Sequence, residues 1–294
     1  MADHDPLHHY NAIWGSGPDD VWAVGEALIG HWNGTQWSWD PVSINLGGTP
    51  TAEDFWSLWG TGPADIWAGC TDITGRFWHY DGTHWSMDST YNSVSHPFGM
   101  WASGSKDFWA VGDPPDGWIM HWDGSAWDGS YLASGLGVSY LDAVWGTGTT
   151  DLWAAGGAAA GPGGVGIVCH WDGSAWKKIP TPTATPVLGL WGTGAKDVFA
   201  VTAGGGILHW DGSTWSPQAS GTTSDLWQIS GTGPSDVWAV GDQGTVLHYD
   251  GATWRKVDCN TKVLLRGVWT DRRGVAWVAG WGIAFRVSLQ GSAG

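Results

Sequence analysis

Charge is scarce in this sequence. It has 12 Lys plus Arg against 28 Asp plus Glu, and 14% of its 294 residues are charged, for a net charge of −16. Binding to nucleic acid needs a basic footprint over the phosphates, so that partner is excluded, and an anionic membrane surface is disfavoured on the same ground. Glutamate occurs only at Glu26 and Glu53 and arginine at six positions, so catalytic sites built on Glu or on Arg clusters have little to draw on. The three cysteines, Cys70, Cys169 and Cys259, are too few and too odd in number for a disulfide framework. No apolar run approaches the ~18 residues of a membrane span. The amino-terminal MADHDPLHHY has neither a basic nor an apolar signal region, so no signal peptide is expected there. Strong helix formers are few.

What is abundant is Gly (48) and Trp (28), in short Val/Ile/Trp runs separated by Gly, Asp, Ser and Thr. That is the composition of strands and tight turns. The runs repeat. A D-[VIFL]-[WF]-A box begins at Asp20, Asp65, Asp107, Asp151, Asp197 and Asp236, at spacings of 39 to 46 residues. A second box, H-[WY]-[DN]-G-x-x-W, begins at His31, His79, His121, His170, His209 and His248. A seventh, degraded copy runs from Leu264 to Val287, where Trp269 and Trp277 hold the first two Trp positions and Ala284-Phe285-Arg286 replaces the His box.

Each copy reads as four short strands, here a to d. Strand a ends in V-W-G, a G-T-G-P-x-D turn leads to strand b (V-W-A-V-G), a variable loop leads to strand c (V-L-H-Y), and an Asp-Gly hairpin leads to a final Trp on strand d. Four-stranded units at this period are propeller blades. The expected fold is therefore all-β: one seven-bladed β-propeller spanning 1–294, with blades at about 8–40, 53–88, 96–128, 139–179, 186–217, 225–257 and 263–288. Of the 28 Trp, 22 fall on four repeat positions and are assigned to the core. The seventh copy ends before a strand d, so its blade is expected to have three strands, with residues 2–6 as candidates to begin a fourth.

The stretch VWAVGDQGTVLHYDGATW (Val237–Trp254) resembles the Asp-box propellers, which include sialidase-type repeats and the photosystem II assembly factor family, and it is similar to Trp-rich repeats of bacterial surface proteins. The resemblance covers nearly the whole chain and implies a propeller and a secreted or cell-surface setting. It does not carry over a sialidase site, because the arginine cluster and Tyr–Glu pair of that motif have no counterpart here.

A residue repeated in six blades is a fold device before it is a site. The six box histidines, one per blade on the third strand, are expected to be separated around the ring and to bond neighbouring turns, without metal. The repeated Asp residues are expected to accept hydrogen bonds from turn N–H groups. Neither metal nor cofactor is expected. Function is sought where the repeat breaks its own pattern. Three residues before the strand a Trp position the seven copies read Asn11, Trp56, Phe98, Asp142, Leu188, Trp227 and Arg266, on loops expected to ring one mouth of the channel. Asp116 and Trp118 in one b–c loop and Trp281 in another join them as candidates.

Aromatic faces beside carboxylates suit sugars, so the first reading is a carbohydrate-binding, lectin-like module for a glycan or another small polar ligand. The alternatives are a protein-interaction scaffold or assembly factor, and a lyase or hydrolase using Asp142 with Arg266. The enzyme reading is disfavoured because no Ser/His/Asp or Cys/His constellation is present. A competing possibility is that the seven residues plug the channel. Ser230, at a strand a Trp position, is expected to leave room between blades 5 and 6.

Overall fold

In the computed structural model, residues 9–26, 28–41, 43–46, 49–52, 54–71, 76–88, 90, 96–113, 117–129, 135–158 and 165–289 are described. They form seven antiparallel sheets arranged in a ring. Six sheets have four strands in the order a-b-c-d, and the seventh has three, Leu265–Thr270, Ala276–Gly280 and Ile283–Val287. Strand a is innermost in each, from Tyr10–Gly17 in blade 1 to Leu265–Thr270 in blade 7, and the last inner strand packs against the first to close the ring. The chain is thus a seven-bladed propeller with an incomplete last blade. Residues 2–6, the candidates for its fourth strand, lie outside the described residues. A small hairpin, Ser43–Leu46 with Thr49–Ala52, is inserted between blades 1 and 2.

The repeated Trp residues lock blade to blade. The strand d Trp of each complete blade stands edge-on to the strand b aromatic of the blade before it. These pairs are Trp85–Trp22, Trp127–Trp67, Trp176–Trp109, Trp215–Trp153, Trp254–Phe199 and Trp37–Trp277, with centroids 5.6 to 6.3 Å apart and planes at 73 to 89°. Edge-to-face is the favoured arrangement for ring quadrupoles, which explains why one residue type recurs at both positions.

The strand a Trp reaches the other way, across the W-G glycine of the next blade. A Cβ on Gly60, Gly146, Gly192, Gly231 or Gly15 would come within 2.6 to 3.2 Å of the ring of Trp14, Trp101, Trp145, Trp191 or Trp269 respectively. This direction corrects the expected place of the Ser230 gap. Trp191 of blade 5 still covers Gly231, so the space opens between blades 6 and 7. There Thr270 stands where the repeat has glycine, and its Oγ1 lies 3.1 Å from Ser230 Oγ. The two departures from the repeat therefore compensate each other. Ser230→Trp alone is expected to overpack against Thr270 and cost ~2 kcal/mol, and adding Thr270→Gly to restore most of it. Urea denaturation of the two single variants and the double variant measures the coupling, and strictly additive effects would refute the pairing.

The box Asp organises each a–b turn through side-chain donors, where turn N–H groups are expected from the sequence. His31, His79, His121, His170, His209 and His248 each place Nε2 2.6 to 2.9 Å from the Oδ1 of the box Asp of their own blade. A Ser or Thr hydroxyl four residues before that Asp donates to its Oδ2 in all six blades. In four blades the strand b Trp also donates its indole N–H to Oδ1, at 2.8 to 3.2 Å. The hairpin residues Asp81, Asp123, Asp172, Asp211 and Asp250 accept backbone N–H groups two and three residues on, at 2.8 to 3.0 Å. His248 is buried and His121, His170 and His209 are half-buried, as expected of fold devices.

Candidate functional site

The seven variable residues share a backbone feature. In every blade the a–b register slips by one at this position: Tyr10 pairs with Gly25 and Ala12 with Val24, so Asn11 is the extra residue, and the same slip isolates Trp56, Phe98, Asp142, Leu188, Trp227 and Arg266. A β-bulge re-aims the side chain of its unpaired residue. Here seven bulges aim seven half-buried side chains at one axis. All seven line a single cavity of about 300 Å³. Below them the wall is a ring of buried aliphatic and Met side chains (Ile13, Leu58, Met100, Val144, Leu190, Ile229, Val268), and below that lie strand a Trp residues and Ser230.

Arg266 dominates the mouth. Its guanidinium carbon lies 4.6 Å from the Trp56 ring centroid and 4.4 Å from that of Trp227, so one cation contacts indoles from blades 2 and 6. Among the described residues it makes no hydrogen bond and no ion pair within 4 Å. Its pKa is lowered by burial, against the opposing pull of Asp242, Asp54 and Asp142. Both indoles are tethered from behind: Trp56 Nε1 donates to Asp54 Oδ2 at 2.8 Å and Trp227 Nε1 to Asp242 Oδ1 at 2.7 Å. Asn11 donates its amide to Asp54 Oδ1 (3.3 Å) and to the Phe55 carbonyl (2.9 Å). Burial raises the pKa of Asp54, and the charge of Glu26 adds to this, while the bonds from Trp56 and Asn11 and the charge of Arg266 oppose it. Phe98 meets Trp56 at 5.5 Å and 63°.

The other candidates go elsewhere. Trp118 opens a strand c, pairs with Gly112, is 5% exposed, and packs between blades with Trp67 and Met120, so it is core rather than mouth. Trp281 is 47% exposed and stacks on His9 at 4.6 Å and 10°, outside the cavity lining. Asp116 lies outside the described residues. Sequence reasoning missed Asp54 and Asp242. A signal for Asp54 was present: D-x-W at Asp54–Trp56 repeats the spacing of the box, where Asp also accepts the indole two residues on.

No known family profile matches the chain, and no curated protein does. Solved structures do. The structure described as YCF48 bound to D1 peptide superposes with a TM-score of 0.73 at 16% identity, covering 99% of this chain and 95% of that one. YCF48 from Cyanidioschyzon merolae gives 0.71 at 14%, covering 98% and 96%. The WD40 propeller domain of Doa1 gives 0.73 at 12%, covering 99% and 95%. The likeness is one of fold.

Other chemistry finds little support in the geometry. Among the described residues no three His, Cys, Asp or Glu side chains are grouped to hold a metal. Burial pushes the Cys169 thiol up to about 12 and that of Cys259, beside Asp258, up to about 11. Neither is the exposed, low-pKa thiolate that nucleophilic chemistry uses. Asp142 acts on Arg266 through its charge, which opposes the lowering of the Arg266 pKa by burial.

Proposed function

We propose that the protein is a binding scaffold that receives a basic polypeptide segment at the loop-bearing mouth of its channel. The observation that carries this reading is that Asp142 lines a concave mouth, Asp54 and Asp242 hold two of its indoles, and Arg266, set on those indole faces, is the one cation among the described residues of the lining. Three carboxylates around one cation leave a net negative mouth on a protein of net charge −16, and such a cleft draws in positive partners. The carbohydrate reading is weaker, since a neutral sugar would have to displace Arg266 from the Trp56 and Trp227 faces without bringing a charge of its own. The YCF48 structure described as peptide-bound supports a peptide ligand for a propeller of this shape, at the level of fold.

Selection from a random peptide display library is expected to enrich Lys- and Arg-bearing sequences. Trp227→Ala should weaken the selected peptides about tenfold, or ~1.4 kcal/mol, by calorimetry. Enrichment of acidic peptides, or binding indifferent to both Trp227→Ala and Asp54→Asn in folded variants, would overturn the proposal. A glycan-array hit lost in those variants would restore the carbohydrate reading.

A further inference from the structure

We infer that Arg266 is a tethered occupant of a guanidinium seat, and that an arginine of the partner displaces it and takes the same place between Trp56 and Trp227. The inference rests on the basic-segment reading and names the side chain that the mouth recognises.

The seat is built independently of its occupant. Trp56 is held by Asp54, which is held in turn by Asn11, and Trp227 is held by Asp242. None of these bonds involves Arg266, so both indoles keep their orientation when it leaves. Because both indole N–H groups donate to carboxylates, negative charge lies at the edges of the two rings whose faces receive the cation. That strengthens an aromatic face toward a positive ligand.

The occupant, by contrast, is loosely fixed. Arg266 is the unpaired residue of a bulge, with Leu265 paired to Gly280 and Gly267 to Ala279 on either side, so its side chain swings away without breaking the strand ladder. It holds the seat through ring contacts alone, without the charge-assisted hydrogen bonds that anchor an arginine firmly. A plug with no other role has no need of a charge, and a leucine already serves at the equivalent position of blade 5, Leu188. A self-filled seat lowers the apparent affinity of an incoming ligand by the fraction of time the seat stands open. It also keeps weak cations out while admitting a partner that brings further contacts.

The test is a titration with acetyl-arginine amide, followed by the indole N–H resonances of Trp56 and Trp227, on wild type, Arg266→Ala and Arg266→Lys. Arg266→Ala is expected to bind about tenfold more tightly than wild type, the gain expected if the seat is open a tenth of the time. Arg266→Lys should bind as weakly as wild type. The citrulline analogue, neutral and of nearly the same shape, should bind none of them, and adding Trp56→Ala to Arg266→Ala should remove the gain. Equal or weaker binding by folded Arg266→Ala overturns the inference and makes Arg266 a reader of acceptor groups or a plug. If display-selected basic peptides bind wild type and Arg266→Ala alike, the scaffold reading stands and the tethered occupant falls. If only the arginine amide shows the gain and no basic peptide binds either protein, the seat stands and the scaffold reading falls.

Discussion

Trp153→Ala is expected to lower stability by about 4 kcal/mol, the usual scale for deleting a large buried aromatic. Trp153 is 2% exposed, and its ring meets His170 at 4.4 Å, Trp210 at 5.2 Å and, edge-on at 89°, Trp215 at 5.7 Å. Trp210 and Trp215 belong to the next blade, so the cavity would open on the interface that holds blades 4 and 5 together. The indole N–H has no hydrogen-bond partner among the described residues, so the loss measures packing with no polar group removed from a pair. Trp281→Ala, at a 47% exposed position, is the control and should change stability by no more than ~0.5 kcal/mol. Urea denaturation followed by circular dichroism separates the two. A loss below ~1 kcal/mol at Trp153 would mean that the edge-on Trp pairs do not hold the ring.

Asp107→Ala should cost about 3 kcal/mol, because it strands three donors at once. Asp107 is 8% exposed, and its carboxylate accepts the Ser103 hydroxyl, the Trp109 indole N–H at 2.8 Å and His121 Nε2 at 2.8 Å. Burial raises its pKa, but the bonds from His121, Ser103 and Trp109 outweigh this and hold it below the ordinary 3.8. A carboxyl whose folded pKa is depressed contributes stability above its unfolded pKa and loses it as pH falls through the folded value. Wild type is therefore expected to lose stability below about pH 4, where Asp20, Asp65 and Asp236, lowered in the same sense, contribute as well. The acid branch of the stability–pH curve should be shallower in Asp107→Ala. An unchanged branch, or a loss under ~1 kcal/mol at neutral pH, would show that the Asp–His–Ser–Trp cluster is not a source of stability.

Much of this is legible in the sequence. Trp residues at four fixed positions per repeat count the blades, because a propeller reuses one packing solution at each interface. The box histidines are legible as repeated fold elements, and the structure adds their partner, the box Asp 11 to 19 residues away in the same blade. The direction of the strand a Trp was not legible. Sequence marks Ser230 as the exception, but only the packing shows that each such Trp covers the following blade, so that Thr270 closes the gap. Trp118 sits beside a Pro-Pro loop and reads as a loop residue, yet its side chain points into an interface because strand c begins with it.

The architecture and the positions of the seven variable residues follow from the repeat alone. Hairpin signals, box hydrogen bonds and strand pairing all act within one repeat of some 40 residues, and that information is local in the chain. How those residues meet one another is set by packing between distant blades. Trp56 and Arg266 are 210 positions apart, and nothing in either repeat says that they meet. Ring closure brings blades 2, 6 and 7 to a common axis, and a bulge in each inner strand turns one side chain toward it. The contact of a cation with two indoles held by carboxylates is a consequence of that closed geometry, because no single blade contains more than one residue of the ring.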